Sequence, residues 1–119
     1  MVTLVDVFED QSGIYLICRY SEHGTLKEFL DRGAQLDLSD VRNFLYDILQ
    51  GIRSLHKIDI VHRSLSLNSI KLKWKKGNIL LQVGSLDFAR SIKPGFKETQ
   101  TFDFNGILAP EIEAGKPYD

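Results

Sequence analysis

Side chains that could carry chemistry are concentrated in two runs of this 119-residue chain. The first is Ile60-Val61-His62-Arg63-Ser64-Leu65-Ser66-Leu67-Asn68-Ser69, a histidine and an arginine followed by three serines. A histidine acts as a general base or metal ligand when a carboxylate or second ligand supports it. The run itself contains neither an acid nor a cysteine, which argues against both roles for His62. Three serines in a polar stretch read first as loop chemistry, because the hydroxyls bond nearby backbone. The second run, Ser85-Leu86-Asp87-Phe88-Ala89-Arg90, carries one carboxylate of the kind a hard cation takes, Asp87. Between the runs Lys71, Lys73 and Lys75 alternate with apolar residues, and the plain reading is a solvated strand face. Cys18 is the sole cysteine, so an intrachain disulfide and a multi-cysteine zinc site are both excluded. His23 and His56 carry no recognisable function.

The elements that must position these residues follow from local patterns. Residues 2–8 are rich in apolar and β-branched side chains and predict a strand. Asp10-Gln11-Ser12-Gly13 is turn chemistry, and residues 14–20 predict an antiparallel partner strand. Thr25 with Glu28 fits a capping box ahead of a short helix that places Leu26, Phe29 and Leu30 on one face and stops at Gly33. Ser39 or Asp40 can cap a longer helix. Its stripe of Val41, Phe44, Leu45, Ile48, Leu49, Ile52 and Leu55 recurs at three and four residues. Gly51 weakens that helix by about 1 kcal/mol relative to alanine, so packing must offset it. Residues 70–75 alternate as a half-buried strand, Lys76-Gly77-Asn78 turns the chain, and residues 79–83 return. Residues 91–108 read as irregular, and Ala109-Pro110-Glu111-Ile112 opens a short helix with proline at its first position. Hairpin, two helices, loop, hairpin and long loop make an α+β order, with no βαβ repeat.

With these elements in place, the chain resembles part of a protein kinase domain. Tyr15-Leu16-Ile17-Cys18-Arg19-Tyr20 resembles the strand and hinge that hold adenine, and Gly24-Thr25-Leu26 opens a helix where the family has one. His62 to Ile70 resembles the catalytic loop H-R-D-L-x-x-x-N. Gln82 to Arg90 resembles the metal-binding segment around D-F-G. Ala109-Pro110-Glu111 matches A-P-E, and Gly115 to Asp119 resembles what commonly follows it. The resemblance covers nearly the whole chain. It implies a partial kinase-like fold: residues 1–20 as two N-lobe strands and hinge, and residues 21–119 as much of the helical C-lobe up to the A-P-E segment. Gly-rich phosphate loop, strand lysine and its helix glutamate partner do not occur in these residues.

The resemblance also shows where this sequence departs from the pattern. Ser64 stands at the position of the catalytic aspartate, and a hydroxyl has no useful basicity near neutral pH. Ser66 replaces the lysine near the transferred phosphate. Ser69 replaces the asparagine that binds a second Mg²⁺ and is a poor hard-cation ligand. The D-F-G segment admits two registers. One keeps Gln82-Val83 and Ala89-Arg90 aligned and makes the motif Ser85-Leu86-Asp87, which loses the metal carboxylate. The other makes it Asp87-Phe88-Ala89, keeps the carboxylate and shifts the flank. The first is preferred because both flanks stay in register. Lys71 aligns with the apolar residue beneath adenine, which disfavours ordinary adenine packing. Phe104 replaces a threonine that steadies the catalytic aspartate. What is kept looks architectural: Leu4, His62 and Leu86 align with spine positions and are expected to pack. Cys18 aligns with the residue guarding the back of the pocket and is expected to be a buried, inert thiol. Arg63 could pair with a phosphorylated residue, Thr99 or Thr101, although unmodified loop threonines are the simpler reading.

Composition agrees with an intracellular globular chain. It is 43% hydrophobic and 26% charged with a net charge of −1, which opposes disorder and bulk nucleic-acid binding. No apolar run approaches the ~20 residues of a membrane span. The expectation is a catalytically inactive kinase-like fragment with a binding or regulatory role, through another protein kinase or regulatory protein. Nucleic acid and membrane are not expected partners, and no cofactor is expected. The vestigial nucleotide pocket would comprise Cys18, Arg19, Tyr20, Ser21 and Lys71. The alternatives are a Ser/Thr kinase fragment using ATP and Mg²⁺, with Asp87 as metal ligand and missing parts supplied, and an unrelated α+β interaction domain.

Overall fold

Two hairpins and one long helix organise the chain, seen in a computed structural model that describes residues 1–100 and 108–119. Strands β1 (Leu4–Asp10) and β2 (Gly13–Cys18) pair antiparallel, with a register shift between Leu4 and Asp6. The turn is set by Asp10, whose carboxylate accepts the N–H groups of Ser12 at 2.7 Å and Gly13 at 3.1 Å. That chemistry carries β1 to Asp10, beyond the expected end at residue 8. Every residue of this hairpin is exposed. It joins the remainder through Val2, whose N–H donates to the Val83 carbonyl at 2.9 Å.

Helix α1 (Leu26–Asp31) starts at the Thr25–Glu28 capping box, as the sequence predicts, and Gly33 follows its end at φ +82°. Helix α2 (Leu38–His56) is capped two to three residues earlier than expected. Asp37, not Ser39 or Asp40, is its N-cap. The Asp37 carboxylate accepts the Asp40 N–H at 2.8 Å, and Asp40 accepts the Asp37 N–H at 3.1 Å. The reciprocal pair satisfies two helix-end donors, so the cap is placed by a carboxylate pair and not by the apolar stripe. Only part of that stripe is covered: Phe44 and Leu55 are buried, while Val41, Leu45 and Leu49 remain exposed.

After α2 come β3 (Ile60–Val61), β4 (Ile70–Lys75), β5 (Asn78–Val83), β6 (Arg90–Ser91) and α3 (Pro110–Glu113). Strands β4 and β5 form the inner hairpin through a two-residue turn with Lys76 and Gly77 both at positive φ, a backbone twist that suits adjacent strands. The core consists of Leu26, Phe44, Leu55, Ile70, Leu72, Leu81 and Val83. Alternation along β4 buries Ile70 and Leu72 and turns Lys73 and Lys75 outward. Asp47 fastens α2 to β5 by accepting the Leu81 N–H at 2.9 Å. Gly51 lets the two elements approach, because a Cβ there would lie 2.6 Å from Val83 Cγ2. The short β3–β6 pair is not predicted by the sequence. The radius of gyration is 15.8 Å, against about 13.5 Å for a compact domain of this length. Among the described residues no helix is long and apolar enough to cross a membrane.

Candidate functional site

A cleft of about 550 Å³ opens between the outer hairpin and the inner one. Leu4, Leu16 and Cys18 line it from the hairpin, Arg19, Tyr20 and Ser21 from the segment that follows, Lys71 from β4, and Ser85, Leu86 and Asp87 from the turn after β5. The structure therefore gathers the expected pocket residues into one concavity. Val2 and Glu28 also line it and are not singled out by the sequence. Glu28 is there because the capping box draws its carboxylate back to the Thr25 N–H at 3.0 Å. A groove of similar volume, about 570 Å³, lies apart from this region between the helices and the β4–β5 turn.

Two expectations are corrected within the cleft. Cys18 is exposed, not buried: among the described residues β2 has one neighbouring strand, and both faces of that hairpin are open. Leu4 and Leu86 are not packed away but stay 52% and 38% exposed on the cleft wall. Of the three spine positions only His62 is buried. Lys71 extends its ammonium to the Asn68 carbonyl at 3.3 Å, so its charge is drawn toward the catalytic loop while its stem passes close to Gly84.

The catalytic-loop residues lie behind the cleft and are largely occupied with one another. His62 is hydrogen-bonded through Nε2 to the Gly84 carbonyl at 2.8 Å, and its Nδ1 accepts the Ser64 N–H at 3.3 Å. One neutral tautomer, protonated at Nε2, satisfies both contacts. Ser69 is buried; its hydroxyl donates to the Ser66 carbonyl at 2.8 Å and accepts the Ser66 N–H at 2.9 Å. Its own carbonyl accepts the Gly84 N–H at 2.8 Å. Gly84 is thus held by both ring and loop, and the chain leaves it through Ser85 at φ +56°, a left-handed conformation that costs a non-glycine residue about 1 kcal/mol or more. Arg63, also at positive φ, donates from Nε to the Phe88 carbonyl at 2.6 Å and ties the loop to the segment beyond Asp87.

Farther along, Glu98 makes a junction that the sequence does not announce. It forms an ion pair with Arg90, accepts the Thr99 and Gln100 N–H groups at 2.8 and 2.9 Å, and exchanges backbone hydrogen bonds with Tyr118. The two backbone donors, with help from Arg90, hold its carboxyl below the usual glutamate range. Buried Tyr118 in turn donates its hydroxyl to the Gln100 carbonyl. Ala109-Pro110-Glu111 begins α3, with the Ala109 carbonyl accepting from Ile112 and Glu113. Thr99 is exposed; Thr101 and Phe104 fall outside the described residues.

These elements can be set beside known proteins. A family model described as the protein kinase domain matches residues 1–119. NUAK family SNF1-like kinase 2 of Rattus norvegicus is 32% identical over 119 residues, covering 99% of this chain and 18% of that protein. The Homo sapiens protein of the same name is 31% identical over the same length. The liver/testis isoform of the phosphorylase b kinase gamma catalytic chain of Bos taurus is 29% identical over 112 residues, covering 94% of this chain and 27% of that one. The chain thus spans roughly a fifth to a quarter of the length of these relatives. Hairpin, cleft, loop and terminal helix occur in the order the motifs prescribe, the family match runs through all of them, and this chain belongs to the protein kinase domain family.

Proposed function

We propose that this kinase-family chain transfers no phosphate and serves as a binding or regulatory element, with another protein kinase or a regulatory protein as its partner, inside the cell. The observation that carries this reading is the closed Ser66–Ser69 loop. The Ser69 hydroxyl, at the position of a metal-binding amide, spends its donor and an acceptor on Ser66. Ser64 stands at the proton-acceptor position with its N–H held by His62. The donor set consequently does not suit Mg²⁺ and ATP: of the two carboxylates that line the cleft, Glu28 is engaged by the Thr25 N–H of its capping box, and Asp87 stands with serines at the remaining ligand positions.

One observation favours a second reading. Asp87 lines the same cleft as Lys71 and the segment 19–21, so a Ser/Thr kinase whose remaining parts come from elsewhere would have a carboxylate there. An assay with radiolabelled ATP and Mg²⁺, then Mn²⁺, separates the two. The expected result is no transfer above background. Turnover that survives purification and disappears in Asp87→Ala overturns the first reading.

A further inference from the structure

The groove of about 570 Å³ between the two helices and the β4–β5 turn is built from residues 29–80 and shares no lining residue with the cleft. Phe29, Leu36, Phe44 and Trp74 form its apolar part; Phe44 is buried, whereas Trp74 is 48% exposed. On the α2 side stand Asp40, Asn43 and Asp47. Their spacing of three and four residues sets them in one row along the helix. Each acid already accepts one backbone N–H, Asp40 from Asp37 at 3.1 Å and Asp47 from Leu81 at 2.9 Å. These bonds fix where the acids stand and leave each carboxylate further acceptor sites. Among the described residues neither acid forms an ion pair. Arg42, Lys73, Lys75 and Lys76 are next in sequence to lining residues but are not part of the lining. The groove thus joins an aromatic surface to two carboxylates that no lining cation offsets.

We propose that this groove docks an arginine-bearing segment of a partner protein, held in the polyproline II conformation with two arginines three residues apart. Charge sets the sign of the ligand. Aromatic rings beside the acids favour a guanidinium over an ammonium group, because the planar fork bonds carboxylates in a bidentate manner and stacks on rings. Distance sets the spacing. Asp40 and Asp47 are seven residues apart on α2, about 10.5 Å along its axis. In a polyproline II segment residues i and i+3 share a face and lie about 9.3 Å apart, a difference that flexible arginine stems absorb. Adjacent arginines point to different faces of such a segment and cannot serve both acids in the same way. An apolar residue between the arginines is left to cover Trp74 and Phe29. The inference deepens the regulatory reading above by naming what the partner presents. It can fail in a binding test while the phosphotransfer assay still supports that reading.

Trp74 is the sole tryptophan and lines the groove, so its emission, read beside titration calorimetry, reports occupancy in the 119-residue chain. The probe is the peptide acetyl-Pro-Arg-Leu-Pro-Arg-Leu-amide. Saturable binding is expected, and added salt should weaken it. Two peptides of equal charge read the recognition: one with lysine for both arginines and one with the arginines adjacent should each bind more weakly. Asp40→Asn together with Asp47→Asn should weaken the probe by about tenfold or more, because charge-assisted hydrogen bonds are lost. The asparagine oxygens can still accept the Asp37 and Leu81 N–H groups, so far-UV circular dichroism and the urea midpoint should hold. Asn43 is exposed and lies between the two acids. Asn43→Lys sets a competing cation in the row and should weaken the probe without touching either hydrogen bond. No binding by either measurement, equal binding of the adjacent-arginine peptide, or an affinity indifferent to these variants overturns the proposal.

Discussion

Replacing Gly51 with alanine sets two effects of known size against each other. Alanine improves an interior helix position by about 1 kcal/mol over glycine. At Gly51, however, the new Cβ would stand 2.6 Å from Val83 Cγ2 and 3.1 Å from Val83 Cβ. The first distance is far inside van der Waals contact, and neither partner can readily move. Val83 is 1% exposed and paired to Ile70, while the Asp47–Leu81 hydrogen bond anchors α2 to the same strand. Overpacking of this kind costs about 1–3 kcal/mol, so Gly51→Ala should be destabilising on balance, by up to about 2 kcal/mol. Val83→Ala removes the methyl responsible. In that background Gly51→Ala should stabilise by up to about 1 kcal/mol, and the two changes should couple by about 1–3 kcal/mol. Urea unfolding of the four proteins, followed by far-UV circular dichroism, measures all of these quantities. If Gly51→Ala raised the midpoint equally in both backgrounds, the close approach of α2 to β5 would not be the reason for glycine there.

Other outcomes follow from the same contacts. Glu98, whose carboxyl is held below the usual glutamate range, contributes stability above its unfolded pKa and loses it as pH falls through the lowered folded value; Glu98→Gln should flatten the acid limb of the unfolding midpoint against pH and leave its shape near neutrality unchanged. His62→Phe should cost about 1–3 kcal/mol in urea unfolding, since the buried Gly84 carbonyl loses its partner; a midpoint equal to wild type would show that the ring serves only to fill space. Val5, Val7, Phe8 and Ile14 are about half exposed or more, so an environment-sensitive dye should bind the native chain, and Phe8→Ser with Ile14→Ser should reduce the signal without lowering the urea midpoint.

Local chemistry was the legible part of this molecule. The Thr25–Glu28 capping box, the Lys76-Gly77 turn, the β4–β5 hairpin and proline at the start of α3 depend on residues a few positions apart, and each is found where the pattern places it. The start of α2 was harder to read, because its first-turn residue Leu38 is apolar yet 88% exposed and the reciprocal Asp37–Asp40 pair lies outside the buried stripe. Pairing of β3 with β6 involves two residues on each side, too few for a strand signal. Burial of Cys18 could not be deduced at all: alignment supplies a position, but exposure depends on which elements cover it, and nothing among the described residues covers the outer face of β2. In the cleft the pocket residues were readable from motif order. Glu28 and Val2 were not, since one arrives through a cap and the other through a single hydrogen bond to Val83.

Under the function proposed above, the Ser66–Ser69 closure also bears on whether single substitutions could confer catalysis. Ser69 is 3% exposed, and its hydroxyl fills both roles in a reciprocal contact with Ser66. Ser69→Asn would place a larger amide in a space already filled and would release the Ser66 backbone before any cation was available to compensate. The Ser69 carbonyl also holds Gly84, one residue before Ser85, so the disturbance would reach the segment that presents Asp87. Under the function proposed above, an acid placed at Ser64 or a lysine at Ser66 would act on a loop whose backbone is still closed by Ser69, and such single substitutions should gain no turnover. Because the Ser69 hydroxyl bonds the Ser66 backbone and not its side chain, a change at Ser69 is the one that opens this closure, and its two hydrogen bonds would have to be replaced in the same step.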